Sequence, residues 1–263
     1  MEYGFDLSYV FEFIPKLLQT LNLTLLIVAG ALVLGIAVGL LAALPRLYKV
    51  PVLEHLSMVY VSFFRGTPVL IQLFLFYYGL PEILKLVSVD VSRLPALYFV
   101  MLTFGLNAGA YLSENIRAAV LAVDRGQVEA AYSIGMTGFQ AFVRIVLPQA
   151  LAIAVPVFSN LVLAMVKDTS LAFTLGVMEM TGKAQTLGTL TQHFLETYLA
   201  LALIYLVICS VLERVLLLVE RRLQRHKQRE TKSRRGWLLR RKHATLGQLT
   251  REAVAGSKGG AWG

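Results

Sequence analysis

Five stretches of this chain are apolar over helix-spanning lengths: roughly Leu17 to Leu44, Leu56 to Leu80, Leu94 to Leu112, Leu151 to Val166 and Tyr198 to Val219. A helix needs about 20 apolar residues to cross the hydrocarbon core of a bilayer. The overall composition agrees, with 57% hydrophobic residues and a mean hydropathy of +0.66, more apolar than an ordinary soluble domain. The expected fold class is therefore all-α, an integral membrane bundle of about five transmembrane helices. Two runs are irregular. The second is interrupted by Arg65-Gly66-Thr67-Pro68, and the fourth carries Pro156 and is short at its C-terminal end.

The net charge of +9 suggests a nucleic-acid binder until it is located. Thirteen of the 25 Lys/Arg and two of the 16 acids lie from Arg221 onward, so that segment carries +11 and the preceding part −2. The basic segment has Trp237 and, 25 residues on, Trp262 as its aromatics, not the regular aromatic spacing of a single-strand binder, and a nucleic-acid role is not expected. Lys/Arg placement sets orientation. Arg46 and Lys49 in the first connection, Arg117, Arg125 and Arg144 in the third, and the tail all fall on one side of a five-span chain. That side is read as cytoplasmic. The division is then an extracytoplasmic segment over 1–16, a transmembrane domain over 17–220 with a cytoplasmic loop over 124–148, and a largely disordered basic tail over 221–263. The tail is either solvated or held on anionic lipid. Acidic Glu2, Asp6 and Glu12 before the first run argue against a cleavable signal.

The loop has its own grammar. Asp124 with Gln127, and Thr137 with Gln140, have the spacing of helix N-caps with reciprocal partners. Two short helices are expected, with Gly135 between them to take positive φ and end the first. Ala130 and Ala131 keep that first helix thin for a close-approaching surface. Phe139, Phe142, Val143 and Val146 form an apolar stripe on the second helix, and Pro148 marks the return to an apolar run. On these features alone, a docking loop and a hairpin lying on the membrane are equal readings.

Polar residues inside apolar runs are costly and point to function. Asn107 and Asn160 either face a substrate path or make helix–helix hydrogen bonds. Asp168 supplies an anion for an ammonium group, and Thr169 and Ser170 supply donors for a carboxylate. The alternative is a Lys167–Asp168 ion pair at a helix end, and Glu179 is a further candidate. Glu114 and Arg117 pair at helical spacing and are expected to fix the angle at which the loop leaves the membrane, with Asp124 and Gln127 supporting it. Gly35 and Gly39 form a small-residue pair suited to close helix packing. Cys209 is the single cysteine, no Cys/His cluster has metal-ligand spacing, and His55, His193, His226 and His243 are read as plain polar residues. No phosphate-binding Gly-x-x-x-x-Gly-Lys-Ser/Thr stretch and no catalytic constellation is present.

Glu129-Ala130-Ala131, Gly135, Ile145, Leu147 and Pro148 together resemble the EAA loop of ABC importer permeases. Arg65-Gly66-Thr67-Pro68 leading to Gln72, Tyr111 with Glu114 and Arg117, and Lys167-Asp168-Thr169-Ser170-Leu171 resemble the polar amino acid branch of that family. The resemblance covers roughly Leu17 to Glu220. It implies a type I importer permease fold in the bacterial cytoplasmic (inner) membrane, with Glu129 to Pro148 seated on a cytoplasmic ATPase dimer. It also implies a second permease chain, identical or not, an extracytoplasmic solute-binding protein and an amino acid substrate. The chain itself would be no enzyme and bind no cofactor, ATP and Mg being held by the ATPase. The alternative is a stand-alone secondary transporter or channel for small polar solutes.

Overall fold

In the computed structural model, residues 5–224 are described, and among them every regular element is a helix. The chain divides into two compact units, Met1–Leu217 and Leu218–Gly263. Of the second, residues 218–224 are described, and they are helical. The remainder of the basic tail, Trp237 included, lies outside the described residues.

The helices are α1 (Leu7–Leu18), α2 (Leu21–Tyr48), α3 (Pro51–Gly66), α4 (Val69–Lys85), α5 (Ala96–Leu121), α6 (Arg125–Ser133), α7 (Gly138–Leu175), α8 (Met180–Thr191) and α9 (Phe194–Gln224). By length and composition α2, α5, α7 and α9 each suffice to cross a membrane. The α3–α4 pair makes a fifth span only as a broken one, bent by 112°. The interruption at Arg65–Pro68 is thus a sharp turn rather than a kink. Pro68 cannot extend α3 and instead sits in extended geometry as the N-cap of α4.

The first run was expected to begin at Leu17, but the helix that carries it starts at Leu21. Leu17 and Leu18 close a separate helix, α1, where only an extracytoplasmic segment had been anticipated. Asp6 caps α1 by accepting from Ser8 N–H. Its buried Val10, Phe13 and Leu17 lie one and two turns apart and pack on Met180 and Ala184 of α8 and Ala200, Leu201 and Ile204 of α9.

The main core lies between α2 and α5, which run parallel. Opposite Gly35 stand Gly105, Ala108 and Gly109, and opposite Gly39 stand Gly109 and Leu112. A Cβ built on Gly39 would come within 2.8 Å of Leu112 Cβ and 3.1 Å of Gly109 O. The expected small-residue face is real, and α5 answers it with Gly105 and Gly109.

α7 differs from expectation. No boundary falls at Pro148, and helix runs unbroken from Gly138 to Leu175. A wide π turn over Phe142–Val146 precedes the proline, with Leu147 N–H reaching back five residues to Phe142 O. That turn makes room for a ring that would otherwise strike the preceding helical turn. Beyond Asp168 the helix tightens to 3-10 geometry over Thr169–Leu175 and stops at Gly176, where φ is +79°. From Lys167 to Glu196 the chain runs through the end of α7, a turn at Gly176, α8 and the start of α9.

Candidate functional site: the capped loop and the polar residues of the spans

The Asp124 carboxylate accepts from Gly126 N–H at 2.8 Å and starts α6. The reciprocal bond expected from Gln127 is not made. Gln127 Oε1 instead accepts from Gln149 Nε2 of α7 at 2.6 Å, because the continuous α7 brings Gln149 alongside. The second cap is made as expected: Thr137 and Gln140 form a full capping box.

α6 ends in a Schellman motif. Gly135 N–H donates to Tyr132 O and Met136 N–H to Ala131 O, with Gly135 at φ +83°. Glu129, Ala130 and Gly135 are exposed and Ala131 is buried. Val128 packs on the cluster formed by Ala119 of α5, Val123 just beyond its end, and Val146 and Ala150 of α7. One face of α6 is thereby fixed to the ends of two spans. The other face is free, flanked by Tyr132, Ile134 and Phe139, the last two 78% exposed. Of the expected stripe, Val146 alone is buried. Ile145 is half-buried, and Leu147 and Pro148 are exposed.

Glu114 and Arg117 pair as expected. Sequence reasoning missed Arg46, whose guanidinium reaches the other Glu114 oxygen at 2.7 Å.

The polar residues of the spans do not converge. Asn107 Nδ2 donates to Gln72 Oε1 at 2.9 Å and to Phe64 O at 3.3 Å, which is the helix–helix alternative. Asn160 is exposed on α7, and Asp168 and Ser170 are half-buried. Thr169 is buried, its hydroxyl donating to Val166 O. Among the described residues no ion pair joins Lys167 to Asp168. Glu179 is fully buried and caps α8, accepting from Thr181 and Gly182 N–H. Burial raises its carboxyl above the ordinary value, against the pull of those two N–H groups.

His193 is not a plain polar residue. It is buried, stacked on Tyr9 at 4.0 Å and 3.2 Å from Glu196 Oε1. No signal in the sequence joins Tyr9 to His193, although Glu196 stands three residues from His193. Among the described residues no group of three or more His, Cys, Asp or Glu is placed to hold a metal.

A bundle of four or five spans carrying an exposed, doubly anchored helix between two of them is the architecture of a polytopic transport subunit. Residues 35–225 match the family described as binding-protein-dependent transport system inner membrane component, and the chain belongs to that family. It is 45% identical over 229 residues, 87% of its length and 96% of the relative's, to the L-cystine transport system permease protein TcyL of Bacillus subtilis (strain 168). It is 32% identical over 220 residues, 84% of its length and 98% of the relative's, to the glutamine transport system permease protein GlnP of Escherichia coli (strain K12). Among solved structures it resembles a chain of an amino acid ABC transporter crystallised with histidines, with a TM-score of 0.74, 30% identity, and coverage of 83% of this chain and 99% of that one. The MetNI methionine ABC transporter, at a TM-score of 0.56 and 20% identity over 79% of this chain and 94% of its own, shares the fold. The chain is thus a membrane permease with the type I ABC importer fold.

Proposed function

We propose that this chain is the permease subunit of an ATP-driven importer for polar amino acids. A solute-binding protein delivers the substrate to the outer face. A cytoplasmic ATPase dimer, holding ATP and Mg, closes and carries α6 with it. A second permease chain completes the path. The observation that carries this reading is the anchoring of α6. Its buried face and Gln127 tie it to α5 and α7, so a force on its exposed face displaces two spans rather than bending a loop. Glu129 and Ala130 stand on that exposed face and are assigned the contact with the ATPase. Glu114, Arg117 and Asp124 hold the exit angle of the loop. Asp168 and Ser170 at the far end of α7, with Asn160, are assigned to the path.

The reading is tested on tagged chain extracted from its own membranes in mild detergent. The expected result is co-purification of an ATPase at about one copy per permease chain. Glu129→Arg is expected to abolish that recovery and amino acid uptake while membrane insertion stays intact. Recovery of the chain without an ATPase, or uptake that survives Glu129→Arg, overturns the reading.

A further inference from the structure

Both arms of the broken α3–α4 span are fastened to one point of α5. On the α3 arm, Tyr60 Oη donates to Leu106 O at 2.5 Å. On the α4 arm, Gln72 Oε1 accepts from Asn107 Nδ2 at 2.9 Å, and the same Asn107 amide reaches Phe64 O, the last turn of α3, at 3.3 Å. Residues 106 and 107 are neighbours, so α5 holds the two arms within one turn of itself. Around the fastening, Val61 and Phe64 of α3 pack on Ala110 of α5, with Tyr60, Phe76 and Leu106 against them.

The bend is also held from within. Gln72, fully buried, donates through Nε2 to Phe64 O, Thr67 O and Thr67 Oγ1, and Thr67 Oγ1 donates to Phe63 O. Carbonyls freed by a helix break have no water in a bilayer to take their place, and here side chains serve them. The bend thus keeps its shape without Asn107. On the α4 side its attachment to α5 combines the Asn107 hydrogen bond with apolar packing, Leu73 beside Val100 and Phe104 and Tyr77 edge-on to Phe99.

At its other end α5 leads into the Asp124 cap of α6, and Ala119 of α5 and Val123 just beyond its end lie in the cluster that seats α6. We propose that Asn107 is a positioning residue for coupling. α5 acts as the strut that carries displacement of α6 to the bend at Arg65–Pro68, and the Asn107–Gln72 bond is the joint through which the α4 arm follows. This inference rests on the importer reading, because it needs a driven α6.

The test uses the whole transporter, permease with its co-purified ATPase, in proteoliposomes, with ATP hydrolysis and amino acid uptake measured on the same sample. Asn107→Ala is expected to retain at least half of the ATPase activity while uptake falls tenfold or more, so ATP hydrolysed per amino acid rises about fivefold or more. If Asn107→Ala fails to assemble, Asn107→Leu, which fills the site without donating, gives the same readout. An unchanged ratio in the assembled variant, whether uptake is normal or reduced in proportion to hydrolysis, overturns the strut. Failure of the importer reading is distinguishable, because the unsubstituted protein would then show no ATP-driven uptake at all.

Discussion

Arg46 of α2 and Glu114 of α5 are joined at 2.7 Å, and the second Glu114 oxygen is occupied by Arg117. One carboxylate therefore serves two guanidinium groups from two helices, near the ends of both. Among the described residues Arg46 Nη1 and Arg117 Nε are buried without an acceptor, so the arrangement has no spare partner there if Glu114 is lost. Hydrogen bonds to charged groups contribute about 1.5–3 kcal/mol each. Glu114→Ala is expected to cost about 2 kcal/mol or more, and Arg46→Met less, because Glu114 then keeps Arg117. Thermal unfolding of the purified transporter in detergent ranks the two. Equal losses, or a larger loss for Arg46→Met, would contradict the shared-acceptor geometry.

The α2–α5 contact predicts a graded response to single methyl groups. At Gly39 a Cβ meets Leu112 Cβ and the Gly109 carbonyl, so Gly39→Ala must push the helices apart. Overpacking of this kind costs about 1–3 kcal/mol. At Gly66 a Cβ meets nothing within 4 Å, and Gly66→Ala is expected to stay within about 0.5 kcal/mol of the parent. Yield of folded protein after extraction, with unfolding temperature, checks the pair. A Gly66→Ala loss as large as that of Gly39→Ala would refute the packing argument.

Gly135 separates strain from space. Its φ of +83° is unfavourable for any residue with a Cβ, yet nothing lies within 4 Å of where that Cβ would sit. Gly135→Ala is expected to cost about 1–2 kcal/mol, all of it backbone strain. Gly135→Asn is expected to cost less, since Asn tolerates the left-handed region. Hydrogen exchange at the last turn of α6 reads both directly. Faster exchange for Asn than for Ala would show that the strain lies elsewhere.

What was legible in the sequence was what is local or periodic. The runs that became α2, α5, α7 and α9 were readable from length and hydropathy. The Thr137–Gln140 box and the positive φ of Gly135 follow from side chains acting on their own backbone. Pro148 misled because its cost depends on the turn before it, and a single π turn removes the clash. Gln127 was assigned to Asp124 by spacing, but the continuity of α7 offers it Gln149. Arg46 with Glu114, and Gln72 with Asn107, are joined across helices, and no spacing rule connects them. α1 had a signal in Asp6 and the Val10, Phe13, Leu17 spacing, which the neighbouring long run obscured.

That short helix yields the last prediction. Glu196 Oε1 accepts from Asp6 N–H at 3.1 Å and lies 3.2 Å from His193 Nδ1, while Tyr9 stacks on the His193 ring. The first turn of α1 is thus held by polar contacts to one carboxylate and one imidazole, and its later turns by Val10, Phe13 and Leu17 against α8 and α9. Glu196→Ala removes the acceptor of the Asp6 N–H and leaves the apolar contacts in place. The expected outcome is fraying of residues 5–9 with α1 still docked beyond Val10, at a cost of about 1–2 kcal/mol. Asp6 itself is held below the ordinary carboxylate value by its bonds from Ser8, so its cap is fully present above that value and fades as pH falls through the lowered one. At neutral pH the cap is intact, and fraying there reports on Glu196. Limited proteolysis of the detergent-purified protein should cut faster before Val10 in the variant and no faster at Lys16. Equal acceleration at both places would mean that Glu196 holds the whole helix, and no acceleration at either would mean that the apolar face alone does.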